Sequence, residues 1–129
     1  MTDRKNISSG SPFEPDIGFS RAVRIGNMIA VAGTAPIADD GSVSSIGDVY
    51  GQTHRCLMIM QHAIEAAGGT LENVIRTRIM LTDIETWQAA ARAHGEFFGD
   101  IRPACTFVEV SRFINPQWLG ETEADCVLT

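Results

Sequence analysis

Cys105 is the most chemically distinctive residue in this sequence. It lies in the segment RPACTFVEV (102–110), where a loop gives way to a β-rich run. The thiol could be a nucleophile, a small apolar side chain, or a replacement for the usual residue of a site. A nucleophile needs a lowered pKa and a nearby base, and no motif links His94, the nearest histidine, to it. Because cysteine often behaves as a small hydrophobe, we expect Cys105 to line a pocket passively.

The remaining histidines and cysteines favour core packing and reduced thiols. His54, His62 and His94 lack the spacing of metal ligands, so we expect no metal site. Cys56 and Cys126 fall on apolar faces of their segments. An odd number of cysteines with no C-x-x-C pair is typical of reduced thiols, which predicts a cytoplasmic protein.

Length and charge exclude several classes of protein. The chain of 129 residues predicts a single domain over 1–129, large enough to bury a core. A net charge of −6 disfavours nucleic acid as a partner, because phosphate binding needs clustered Lys and Arg. No apolar run is long enough to cross a membrane, and the first residues do not resemble a secretory signal.

Hydrophobic periodicity predicts an α+β fold. Residues 1–18 contain two prolines and two glycines, which favours an extended segment. The elements that follow have the order β-β-α-β-α-β-β, which predicts a mixed sheet with two helices packed on one face. Their approximate ranges are 21–25, 28–33, 49–67, 73–82, 87–98, 104–110 and 121–128.

Alternation within the strands predicts one apolar face and one mixed face. On the mixed face we place Arg76, Arg78, Glu121 and Glu123, with Phe107 beside them. Exposed apolar groups next to matched charges are typical of a subunit interface, although a solvated face has the same pattern. If the face is an interface, clefts between subunits would hold Cys105 and the acidic strand.

The sequence resembles the reactive-intermediate deaminase family, RidA or YjgF. The resemblance covers roughly residues 10–128 and lies in the following segments: GFSRAVRIGNMIAVAGTAPI, AAGGTLENVIRTRIMLTDIETW, FFGDIRPACTFVEV and ETEAD. It implies a chorismate-mutase-like fold and a homotrimer with ligand clefts between subunits. It also implies hydrolysis of small reactive imines or enamines, such as 2-aminoacrylate, to keto acids and ammonia without a cofactor.

The residue roles that the resemblance implies are only partly conserved. Cys105 occupies the position of the arginine that binds the substrate carboxylate in deaminating members. Glu121 matches the first glutamate of the family's E-x-E strand, which would orient the attacking water. The resemblance implies four further ligand-binding positions. Phe19 stands where the family often has a tyrosine, so the hydroxyl group is missing, and Gly33 is the same as in the family. Ala32 replaces a serine, and Ala91 replaces an asparagine.

Two classes of function follow. In the first, the protein is a deaminase of altered specificity, with Arg102 as a substitute carboxylate ligand or simply a surface arginine. In the second, the trimer binds a small molecule, such as a carboxylate or imine, or a protein partner, without turnover. A ribonuclease role, attributed to some relatives, is disfavoured by the acidic surface.

Overall fold

The computed structural model describes residues 3–129, which form one six-stranded sheet and three helices. The strands are β1 (Arg4–Ile7), β2 (Ala22–Ile25), β3 (Met28–Thr34), β4 (Val74–Leu81), β5 (Ala104–Glu109) and β6 (Gly120–Val127). The helices are α1 (Phe13–Ile17), α2 (Val49–Ala66) and α3 (Trp87–Phe98). Single 3₁₀ turns precede β4 and α3.

The sheet is mixed, as the sequence predicts. Its strand order is β1-β2-β3-β6-β4-β5. Only β4 and β5 are parallel, and α3 makes the crossover between them; every other neighbouring pair is antiparallel. Two antiparallel strands can be joined by a short hairpin, whereas two parallel strands need a crossover of this kind.

Both long helices pack on the same face of the sheet. Leu57, Met60 and Ile64 of α2 are fully buried against residues of β2, β3 and β6. A second cluster joins Ala90 of α3 to Ile79 of β4. Helix α2 begins where Asp48 accepts a hydrogen bond from the amide of Gly51 and ends shortly before a glycine with positive φ. These local signals match the predicted helix.

The N-terminal segment is more structured than the sequence suggests. Residues 1–18 were expected to be extended, but β1 pairs with β2 along the sheet edge and α1 follows it. Three of the four β1 residues are exposed and polar. This edge strand therefore lacks the apolar alternation by which a strand is predicted from sequence.

Alternation in 73–82 also predicts that Ile75 shares the apolar face with Ile79 and Leu81. This assignment and that of Phe107 were wrong. Ile75 lies at a register shift between Val74 and Arg76, and it is 52% exposed instead of buried. Phe107 is in register with the buried Ile79, so its ring points to the helices and not to the charged face. Alternation shows that two faces exist, but not which of them the helices cover.

The opposite face of the sheet carries paired charges and exposed apolar residues. Arg78 forms an ion pair with Glu123, and Arg76 lies 3.8 Å from Asp125. Met28 on β3, in register with Val127, is 56% exposed. This surface, made by the outward residues of β3, β4 and β6, is called the open face below. Within residues 3–129, no helix combines the length and apolar character needed to cross a membrane.

Candidate functional site

A cleft of about 950 Å³ lies where β3 extends past the start of β2. The N-terminal segment, the end of β3, helix α2 and the loop before β6 line it. Three predicted site residues, Phe19, Gly33 and Glu121, are among its lining residues. The volume lies at the upper end of the range for small-molecule pockets, so the cleft can hold more than a three-carbon metabolite.

Glu121 and Gly33 are in close contact inside the cleft. A Cβ atom at position 33 would lie 3.0 Å from Oε1 of Glu121, so any larger residue would displace the carboxylate. Burial raises the pKa of Glu121, Arg21 opposes that rise, and the neighbouring Glu123 adds to it. A carboxyl group with a raised pKa is suited to accept and return a proton near neutral pH.

Arg21 is a functional candidate that the sequence analysis missed. It is only 7% exposed, yet it lines the cleft just before β2 begins. Its Nη1 donates to the carbonyl oxygen of Gly33 at 2.6 Å and to Oγ1 of Thr34 at 3.1 Å. The guanidinium carbon also lies 5.3 Å from the centre of the Phe19 ring. Burial lowers the pKa of Arg21, and the charges of Glu14 and Glu121 oppose that change.

Glu14 is the second buried charge beside the cleft. Its carboxylate accepts hydrogen bonds from the hydroxyl of Ser9 at 2.5 Å and from the amide of Ser9 at 3.1 Å. Burial alone would raise the pKa of Glu14, but the hydrogen bonds from Ser9 and Ser8 and the charge of Arg21 outweigh it, so the pKa is lowered. Glu14 is therefore ionised at neutral pH and balances the charge of Arg21.

Trp118 contributes an unpaired donor to the same region. It is 6% exposed and lines the cleft, and its indole Nε1 has no acceptor among residues 3–129. A buried N–H without a partner is uncommon in folded proteins. The indole N–H therefore retains an unused hydrogen-bonding capacity.

The other predicted site residues form a second group on the helix-covered side of the sheet. Cys105 is in register with Thr77, and Phe107 with Ile79, so both point toward α3. Ala91 lies on α3. One turn later on the same helix, Nε2 of His94 lies 2.8 Å from Oγ1 of Thr77. Burial lowers the pKa of His94, which keeps the imidazole neutral at pH 7.

One chain does not bring Cys105 and Glu121 together. Glu121 is in register with Met80 on the open face, whereas Cys105 points to the opposite side of the sheet. The expectation that clefts between subunits hold both residues stays a prediction, because it concerns more than one chain. Within residues 3–129 the Cys105 thiol has no hydrogen-bond partner, and Nε2 of His94 contacts Thr77 instead.

Arg102 and Ala32 also lie outside the cleft lining. Arg102 is exposed, with φ of 59°, and its amide donates to the carbonyl oxygen of Phe98 in the turn after α3. Ala32 precedes Gly33, and its amide donates to the carbonyl oxygen of Arg21 at 2.9 Å. In residues 3–129, no group of three His, Cys, Asp or Glu side chains is arranged to hold a metal ion.

The signal for Arg21 was present in the sequence but ambiguous. Arg21 stands in the segment FSRAV, between an aromatic residue and an apolar strand. A charged residue at a strand start is usually solvated, so its type and position do not reveal burial. Only the fold, which closes the N-terminal segment over it, buries the guanidinium.

Comparisons with known proteins agree with this architecture. A model of the family described as Endoribonuclease L-PSP matches residues 10–128. The crystal structure of a YjgF/YER057c/UK114 family member from Mycobacterium tuberculosis superposes with a TM-score of 0.88 at 43% identity. That match covers 98% of this chain and 100% of the other.

Two relatives are similar along most of the sequence. An uncharacterised protein of Streptomyces coelicolor is 37% identical over 121 residues, which is 94% of this chain and 90% of that protein. The 3-aminoacrylate deaminase RutC of Acinetobacter baylyi is 30% identical over 115 residues, which is 89% of this chain and 90% of RutC. The family model spans nearly the whole chain, and the fold has the same chorismate-mutase-like arrangement. The chain therefore belongs to the YjgF/RidA family, whose model is described as Endoribonuclease L-PSP.

Proposed function

We propose that this protein hydrolyses a small imine or enamine, with Glu121 as the group that transfers the proton. The observation that carries the proposal is the placement of Glu121. Its carboxylate is partly buried against Gly33 and has no hydrogen-bond donor among residues 3–129, and its pKa is raised. The family relationship to a 3-aminoacrylate deaminase supports the same chemistry.

The proposed reaction needs no cofactor. Glu121 accepts a proton from water as the water oxygen bonds to the imine carbon. The proton then passes to the imine nitrogen, which gives a carbinolamine. The proton of its hydroxyl group moves to the nitrogen as the carbon–nitrogen bond breaks, so that ammonia leaves and the carbonyl forms. An enamine such as 2-aminoacrylate first takes a proton on carbon to become the imine. A carboxyl group with a pKa closer to neutrality serves both the removal and the return of the proton.

We further propose that the working form is a homotrimer whose clefts are shared between subunits. Glu121 and Cys105 face opposite sides of the sheet, so only a second copy of the chain could bring the two groups of predicted residues together. The open face supports this proposal, because it combines its charge pairs with the exposed apolar residue Met28, next to which lies the exposed Ile25 of β2.

Charge favours the small-molecule reaction over cleavage of RNA, and the cysteines favour a reducing compartment. A net charge of −6 opposes approach to a phosphate backbone. All three cysteines are unpaired, which is consistent with a reducing compartment such as the cytoplasm.

Ligand binding without turnover is the second candidate function. Cys105 favours it, because a thiol stands where deaminating relatives are expected to place an arginine, and a thiol cannot form the bidentate contact of a guanidinium. On this alternative the cleft and the trimer remain, but the protein releases no ammonia.

Ammonia release distinguishes the two candidates. The assay follows ammonia from freshly generated 2-aminoacrylate and from 4-methyl-2-iminopentanoate, with and without the protein. A rate proportional to protein concentration supports the hydrolase. A rate equal to that of buffer alone, with binding of the corresponding 2-oxo acid retained, supports the second candidate.

A further inference from the structure

Gln52 is a fully buried polar side chain that the proposed reaction does not use. It lies near the start of α2 and is 1% exposed. Its Nε2 donates to the carbonyl oxygen of Gln117 at 3.0 Å, and its Oε1 accepts from the amide of Leu119 at 2.8 Å. A buried amide costs free energy unless its donor and its acceptor are both paired, and here one side chain pairs with two groups of the same loop.

The two backbone groups that Gln52 contacts lie on either side of Trp118. Inside a sheet, groups of this kind are paired with a neighbouring strand, but β6 begins only at Gly120. The side-chain amide of Gln52 therefore takes the place of a strand partner for the loop before β6. The carbonyl oxygen of Leu119 is held as well, because it accepts from the amide of Thr82 at 3.1 Å. The end of this loop is thus fixed from both sides.

Gln52 is the first of three buried residues, spaced four apart on α2, that contact the loop and β6 in chain order. Sγ of Cys56 lies 3.9 Å from the carbonyl oxygen of Gly120, and Sδ of Met60 lies 3.3 Å from Oγ1 of Thr122. Residues four apart share one face of a helix, so α2 follows the chain from the loop into the strand. Gln52 makes the strongest of these contacts, because sulfur is a weak donor and a weak acceptor.

We infer that Gln52 is a positioning residue for the cleft: it fixes the loop before β6 and so holds Trp118 and Glu121 in place. The inference rests on the proposed function only where it treats Glu121 as the group that transfers the proton. Trp118 lies between the two contacted groups, Glu121 follows two residues after Leu119, and both side chains line the cleft. The carboxylate of Glu121 has no hydrogen-bond donor within residues 3–129, so its place depends on the backbone that carries it.

A positioning role and a purely structural role of Gln52 differ in what they change. If the side chain only stabilised the fold, its loss would lower the free energy of unfolding, and the folded molecules would keep an unchanged cleft. If it positions the cleft, the folded variant has a loosened loop. Trp118 then becomes accessible to small solutes, and Glu121 becomes more hydrated, which lowers its raised pKa toward the ordinary range of glutamate.

Fluorescence quenching by acrylamide measures the exposure of Trp118 without any turnover. The variant is Gln52→Met, because methionine is a flexible side chain of similar length that cannot pair with the two backbone groups. A Trp87→Phe background removes the other tryptophan, which is exposed. The quenching constant should rise about twofold or more, because local opening admits the quencher. Gln61→Met is the matched control, since Gln61 contacts Glu65 further along α2, and it should leave quenching unchanged.

Two further measurements follow Glu121. Its carboxyl carbon, observed by carbon-13 NMR, should titrate at lower pH in Gln52→Met than in the wild type. In ammonia release, the variant should lose about tenfold in kcat with little change in KM, because the displaced group acts in the transition state. Gln61→Met should match the wild type in both measurements.

Amide exchange of the wild type keeps the test decisive if Gln52→Met does not fold. The Leu119 amide should exchange as slowly as amides within β6, whereas the Gln117 amide, which donates to Oδ1 of Asn115 in an exposed turn, should exchange faster. Fast exchange at Leu119 would overturn the inference, as would a folded Gln52→Met with wild-type quenching or an unchanged Glu121 titration. Failure of the proposed hydrolysis appears separately, as a wild-type ammonia rate equal to buffer, and leaves quenching, titration and exchange as expected.

Discussion

The hydrogen atom of Gly33 that a side chain would replace points directly at the carboxylate of Glu121. A Cβ atom there would stand 3.0 Å from Oε1, which is tighter than nearly all real contacts of a Cβ atom. The glycine is needed for space, since its φ lies outside the left-handed region. The position of the carboxylate therefore depends on a residue from a neighbouring strand.

Gly33→Ala should reduce turnover more than stability. The added methyl group displaces Oε1 by a few tenths of an ångström, and a catalytic group moved this far loses about tenfold in kcat/KM, or about 1.4 kcal/mol. Steady-state ammonia release measures the loss. Gly95→Ala is the control, because a Cβ there meets nothing within 4 Å and should stabilise α3 by about 0.5–1 kcal/mol. Equal kinetics for Gly33→Ala and wild type would contradict the contact.

The open face should be buried in a homotrimer. Light scattering at micromolar concentration should give a mass near three times the 14.0 kDa of the chain. Ala30→Glu places a charge on the exposed centre of β3, in register with Asp125, and should shift the mass toward the monomer. Ile46→Glu, at an exposed apolar residue in the loop before α2, should leave the mass unchanged. A wild-type mass of 14.0 kDa would contradict the shared cleft.

Cys105 should not act as a nucleophile. It is exposed on edge strand β5, and the hydrogen-bonding nitrogen of His94 faces Thr77 rather than the thiol. Cys105→Ala should retain kcat/KM within about twofold, because a nucleophile would instead lose several orders of magnitude. Mass spectrometry after exposure to substrate should find no adduct on this residue. A covalent intermediate on Cys105, or loss of turnover in the alanine variant, would refute the passive assignment.

Much of the fold could be predicted because its strongest signals are local. Helix α2 has apolar residues at helical spacing between Asp48 and Gly68, and the structure confirms it. The buried face of β6 also follows its alternation, with Thr122, Ala124 and Cys126 inward. Edge strand β1 has no such pattern. It is held in place by backbone pairing with β2, because its side chains are mostly exposed.

The site was only partly predictable because it depends on contacts between distant segments. The family pattern located Glu121, Gly33 and Phe19, which the structure brings into one cleft. It could not show that Phe107 points to the helices, since alternation is symmetric between faces. It also could not show that Arg21 is buried, because the segment that covers it lies earlier in the chain and has little apolar content.

The pH dependence of kcat/KM for ammonia release, measured on wild type and Glu121→Gln, tests the central claim most directly. Burial and the charge of Glu123 raise the pKa of Glu121, and Arg21 limits the rise. Since the ionised carboxylate is the base, wild-type activity should fall as the pH drops through a value above the usual range of glutamate. Glu121→Gln should lack this acid limb and lose about 100-fold or more, as expected for removal of a general base. A glutamine variant with the activity and pH profile of wild type would contradict the account.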